Sequence, residues 1–281
     1  MRLFAKHHYD IHGYSRNMNY LSYDFVQNAL IAGSIAAVLG AVVGYFVIIR
    51  NVGFAAHALA HIGFTGATGA VLFGLTPLQG MLAISCLAGA GMGISGSKLH
   101  RSELAIGMVL SISLGLGTLF LSLYQGFAGE ATAILFGNIF GVSRAQVIET
   151  LLLALFSLSL LACFSRPLLF ASIQPDLAES RGLSLTFLST AFMMILAISV
   201  ALVSQVVGTL LVFTLLVAPA GIAARLYHGF WKTILASVLI GLGSLWSGIF
   251  LACLTNQPPS FWITGILFVL YALIELIAKC F

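Results

Sequence analysis

Residues 51–97 read NVGFAAHALAHIGFTGATGAVLFGLTPLQGMLAISCLAGAGMGISGS, without a single Lys, Arg, Asp or Glu. A soluble domain carries charge on roughly one residue in four. The run can hold two helices of about 20 residues, the length that crosses the hydrocarbon of a bilayer. Two further charge-free runs, 182–224 and 233–274, read the same way. Across all 281 residues 60% are hydrophobic and 7% charged, so the solvent for most of this surface is lipid. The fold class that follows is an all-α integral membrane protein, a polytopic bundle of about 8–9 transmembrane helices.

Nine apolar segments can be marked, at 26–49, 52–73, 77–94, 104–124, 147–164, 184–203, 206–223, 233–253 and 261–278. Residues 125–146 are interrupted by Gly126, Gly129, Gly137 and Gly141 and read as a loop with short helices. Ser204 and Gln205 read as the polar break of a tight hairpin. Arg50, then Lys98 and Arg101, Arg166 and Arg181, Arg225 and Lys232, and finally Lys279 fall in alternate connections. The positive-inside rule places that set in the cytoplasm. The chain thus divides into a polar extension, 1–24, and a transmembrane domain, 25–281, with a cytoplasmic loop at 166–183. The extension has no apolar core of a secretory signal. Its His7, His8 and His12 suit an interfacial or disordered tail, or alternatively a metal-scavenging one. Cys86, Cys163, Cys253 and Cys280 show no ligand spacing and read as small buried hydrophobes. The net charge of +4 orients helices and implies no nucleic-acid partner.

Within the second segment, His57 and His61 stand four residues apart, on one face of a helix about one turn from each other. An ionisable group at membrane depth is costly and marks a functional site by default. Two imidazoles facing protein rather than lipid can hold a borderline divalent cation such as zinc. The alternative is a pair bonded to neighbouring carbonyls for packing alone. Thr65 and Thr68 continue the stripe on a background of alanines, the pattern of a path-lining helix. Zinc takes four ligands, and a twofold homodimer presents a pair twice, so a dimer with the site near its interface is expected.

The loop at 166–183 reads RPLLFASIQPDLAESRGL. Pro175 suits the first turn of a helix and Asp176 complements its dipole; Gly182 ends it. A one- to two-turn cytoplasmic helix results, with Leu177 and Ala178 available to seat in a groove of a soluble partner. Glu149 and Glu275 lie near segment ends and read as interfacial. Gly91-x-Gly93-x-x-Gly96 spells a dinucleotide fingerprint, but no strand precedes it and helix packing is the better reading. No GxxxxGK[ST] occurs, and nothing resembles a nucleophile–base pair, so no enzyme activity is expected and ATP hydrolysis would need a separate subunit.

Several markers occur together and in order. They are Arg50 at the first cytoplasmic turn, Ala58-Leu59-Ala60-His61, Leu135-Phe136-Gly137-Asn138-Ile139 and Arg166-Pro167-Leu168. Pro175-Asp176-x-Ala178-x3-Gly182-Leu183 follows, then Val207-Gly208-x-Leu210-Leu211-Val212 leading to Pro219-Ala220. With them the chain resembles, from about Tyr23 to Ala278, the membrane permease of ABC importers for zinc and manganese, the ZnuB-like group. The resemblance implies a type II importer fold in the bacterial cytoplasmic membrane. It also implies a homodimer, two cytoplasmic ABC ATPase subunits and an extracytoplasmic metal-binding protein, with lipid around the whole. The helix from Pro175 would be the coupling helix, and His57 and His61 the metal-coordinating positions. The family usually has Asp-x3-His where this chain has His57-x3-His61. Imidazole in place of carboxylate shifts preference from manganese toward zinc, which would be the transported substrate rather than a resident cofactor. The competing readings are a permease of the same architecture for manganese, a metal chelate or a corrinoid, and an intramembrane metal-dependent enzyme.

Overall fold

In a computed structural model that describes residues 23–100, 103–123 and 133–280, the described residues form helices and connections, with no β-strand. The helices are α1 (Asp24–Ile49), α2 (Gly53–Leu72), α3 (Pro77–His100), α4 (Glu103–Leu123), α5 (Arg144–Ile173), the short α6 (Pro175–Ser180), α7 (Leu185–Val207), α8 (Thr209–Leu226), α9 (Phe230–Thr255) and α10 (Pro259–Cys280). Eight of them are long and apolar enough to cross a membrane. The long helix left out is α2, whose hydropathy is lowered by its two histidines. It sits deepest among its neighbours, packed on α3, α4, α7 and α8. The nine apolar segments thus correspond to nine long helices among the described residues. The histidines of the N-terminal extension and Arg101 lie outside the described residues.

Two boundaries and one burial differ from expectation. First, α5 begins at Arg144 on a capping box, in which the Ser143 hydroxyl accepts from Gln146 N at 3.3 Å and the Gln146 side chain accepts from Ser143 N at 2.9 Å. It then runs through Arg166 and Pro167 to Ile173, so the first half of the expected cytoplasmic loop is helix. Proline costs one intrahelical bond and bends a helix, and a helix packed among others survives that loss. At 30 residues this helix is about 45 Å long and overshoots a hydrocarbon layer of about 30 Å.

Second, Ser204 and Gln205 do not break the chain. α7 continues to Val207, and α8 starts after the single residue Gly208, whose φ of +90° favours glycine. Gly208 backs onto Gly137, itself at φ +78°, and a Cβ on either would strike the other segment's backbone. Two of the sequence markers are therefore one contact. Third, three of the cysteines are less buried than expected. Cys163 is exposed on the outer surface, and Cys86 and Cys253 are half-buried.

Helices have no hydrophobic drive to associate within lipid, so close packing must supply it. Gly80 of α3 presses on the Gly66 carbonyl of α2, and Gly89 and Gly93 abut Met193 and Thr190 of α7. Gly91, in the middle of the dinucleotide-like spelling, has nothing near its Cβ position. Gly80→Val is therefore expected to destabilise the bundle by about 1–3 kcal/mol, the usual cost of overpacking. Gly91→Ala is expected to be neutral or slightly stabilising. Thermal unfolding of both variants in detergent checks the contrast.

Candidate functional site

His57 and His61 project from α2 with ring centroids 4.7 Å apart and planes at 83°. His61 is 6% exposed and His57 half-buried. The His57 ring also meets Phe213 of α8, at 5.2 Å between centroids. Both Nδ1 atoms are buried without a hydrogen-bond partner. The packing alternative expects bonds to neighbouring carbonyls, and neither Nδ1 makes one. A buried, unsatisfied polar group costs about 1–3 kcal/mol, and two side by side are an expense that a bound cation removes. Among the described residues no third His, Cys, Asp or Glu joins them.

Thr65 and Thr68 are buried, but their hydroxyls are engaged. Thr65 donates to the Ser113 carbonyl of α4 at 2.5 Å, and Thr68 donates to the carbonyls of Phe64 and Thr65 at 3.0 and 3.1 Å. Eight residues along a helix leave about 80° of rotation, so the stripe turns. His57 meets α8, while Thr65 faces α4.

The helices around the pair stand in a row: α2 and α8 touch at its centre, α4 packs chiefly on α2 at one side, and α10 packs on α8 and α9 at the other. With α2 and α8 as floor and α4 and α10 as walls, this row is called the trough below. Much of each wall's surface is exposed and apolar, including Ile112, Leu116 and Leu119 on α4 and Phe268, Val269 and Leu273 on α10. Along the α8 side runs a cavity of about 610 Å³. Phe213, Thr214, Val217, Ala218, Gly221 and Arg225 line it from α8, and Thr264, Leu267, Phe268 and Tyr271 line it from α10. Those α8 positions recur at helical spacing and span about 18 Å.

At the Arg50 end of the bundle, the α1–α2 turn meets the end of α5. Asn51 takes φ +54° there. The Arg50 guanidinium donates to the Ser172 hydroxyl at 3.3 Å and lies 5.2 Å over the Phe192 ring. Arg50, Ser172, Pro175 and Glu179 line one cavity. Arg225 and Ile48 share another, so Arg50 and Arg225, two of the basic residues expected on one side, lie at one end. The Asp24–Arg144 pair, 3.4 Å apart, marks the other end.

The short helix appears as the residues dictate: Pro175 opens it, Asp176 is in its first turn, and Gly182 at φ +81° follows its end. There the Gly182 and Leu183 amides donate to the carbonyls of Glu179 and Ala178. One expectation is corrected. Ala178 is 0% exposed and packs inside its own chain, so it cannot enter a partner's groove. The large apolar residues presented outward are Leu177 and, one turn earlier, Ile173. A spacing argument cannot tell which side of a two-turn helix faces home.

The fold is that of a multi-pass membrane protein, with a pair of imidazoles on α2 and a short helix at one end. The chain belongs to the ABC 3 transport family, whose model matches residues 22–278. It is similar to the "Manganese transport system membrane protein MntC" of Listeria monocytogenes, 29% identical over 240 residues and 84% of each chain. It is likewise similar to the "Manganese import system permease protein ScaB" of Streptococcus gordonii, 30% identical over 231 residues and 82% of each chain. The fold matches PsaBC from Streptococcus pneumoniae, solved in complex with Fab, at a TM-score of 0.81 and 25% identity over 90% of this chain and 92% of that one. The protein is thus an ABC importer-type permease of the cytoplasmic membrane, as its sequence leads one to expect.

Proposed function

We propose that the chain is the membrane-spanning subunit of an ATP-driven importer for a divalent transition metal, which passes His57 and His61. The observation that carries this reading is the pair of buried imidazoles with unpartnered Nδ1 atoms on the trough floor. A second copy placed across the apolar walls of α4 and α10 would close the trough and bring four imidazoles together, the number zinc takes. Docking of cytoplasmic ATPase subunits is assigned to the elbow within 166–183, through Ile173 and Leu177. Delivery of metal by an extracytoplasmic binding protein completes the scheme.

The donor set of this chain favours zinc. Manganese is the second reading, supported by the names of the relatives, both of which are manganese systems. Imidazole suits zinc and carboxylate oxygen suits the harder manganese. His57→Asp is therefore expected to move the zinc-to-manganese uptake ratio toward manganese by about tenfold or more, a step of about 1.4 kcal/mol in relative affinity. Competitive uptake in vesicles measures it. An unchanged ratio would mean that selectivity is set away from His57.

A further inference from the structure

The mouth of the 610 Å³ cavity at the Arg50 end of the bundle carries the one ion pair between helices that line it, among the described residues. Arg225, in the last turn of α8, pairs with Glu275 of α10, and its guanidinium lies 4.9 Å over the ring of Tyr271. Neither side chain is deep: they are 40% and 35% exposed. An ion pair this exposed contributes little to stability, about 0–1 kcal/mol, so the pair is not needed to hold α8 to α10. The two helices already pack through Leu267 and their neighbours. Arg225 and Tyr271 line the cavity itself, whose other end is Phe213, in ring contact with His57. A cation leaving the histidines along α8 would meet a fixed positive charge about 18 Å on, beside a carboxylate.

We propose that Arg225 and Glu275 form a charge gate at this mouth. Glu275 is the carboxylate that meets the outgoing divalent cation, and Arg225 is a tethered cation that occupies it at rest. Arrival of a metal ion takes the carboxylate from the guanidinium, which stays on the ring face of Tyr271 where it already lies, and the passage opens. Exchange of one cation for another leaves the carboxylate paired throughout, while the guanidinium, 40% exposed, keeps the Tyr271 ring and solvent. The inference rests on the trough being the transport path, and its test is arranged to separate the two.

The experiment uses the full chain in inside-out membrane vesicles with its native cysteines replaced by serine and Ala218→Cys as the reporter. A membrane-impermeant thiol reagent is added from the cytoplasmic side. With Arg225 and Glu275 intact, labelling is expected to be slow. In Arg225→Ala it is expected to rise about tenfold or more. In the swapped pair, Arg225→Glu with Glu275→Arg, it is expected to return to the slow rate. Slow labelling in both Arg225→Ala and Glu275→Gln would overturn the gate, and so would fast labelling in the intact protein. ATP-driven zinc and manganese uptake by the same variants is measured in parallel. Failure of the wild-type chain to transport either metal sinks the function reading while leaving the labelling result interpretable. Metal uptake at the wild-type rate by Glu275→Gln would show that Glu275 does not meet the cation.

Discussion

In proteoliposomes holding this permease with its ATPase subunits, His61→Ala is expected to lower ATP-driven zinc uptake by about 100-fold, the upper range of what disturbing a metal's surroundings costs. In a symmetric dimer the single change removes two of four imidazoles. It also leaves His57 with one apolar neighbour, Phe213, and no second nitrogen. The site is small and buried, so a fold defect is the competing explanation. His61→Gln keeps most of the volume and the polarity, and is expected to show the same loss with an unchanged melting temperature. Uptake of zinc at the wild-type rate by His61→Ala would remove the pair from the path.

The second large effect separates two adjacent residues. Leu177 is exposed on α6, whereas Ala178 is buried against its own chain. Leu177→Arg is expected to abolish co-purification of the ATPase and metal uptake, because a docking residue at the centre of a groove contributes about 2 kcal/mol or more. Metal binding and thermal stability are expected to be unaffected. Ala178→Arg is expected to fail earlier, at folding, since it overfills a packed contact and buries a charge. Equal behaviour of the two variants would show that the elbow is not the docking element.

The spans were legible because charge is absent from long stretches, which no soluble fold tolerates. The histidine pair was legible for the same reason: two imidazoles in residues 51–97 stand out against a charge-free background. What spacing could not reveal is which neighbour each face meets. Thr65 shares the histidines' stripe on paper, yet the stripe turns and Thr65 bonds to α4. The break at Ser204 and Gln205 was misplaced because polarity suggests a turn, while the backbone turns where φ is positive, at Gly208. Glycine in a membrane helix is ordinarily read as packing, so its second use was hidden. Arg225 and Glu275 are fifty residues apart in sequence, and only the meeting of α8 and α10 makes them a pair. A positive residue at a helix end reads as an orientation signal, and here it also lines a cavity.

The central claim is that His57 and His61 bind the transported metal, and the most direct test is the zinc content of the purified permease. Equilibrium dialysis of the reconstituted protein, with X-ray absorption at the zinc edge, gives stoichiometry and ligands together. One zinc per two chains is expected, with nitrogen at about 2.0–2.1 Å, and none in the His57→Ala/His61→Ala double variant. Retention of the same zinc by a folded double variant would contradict the account.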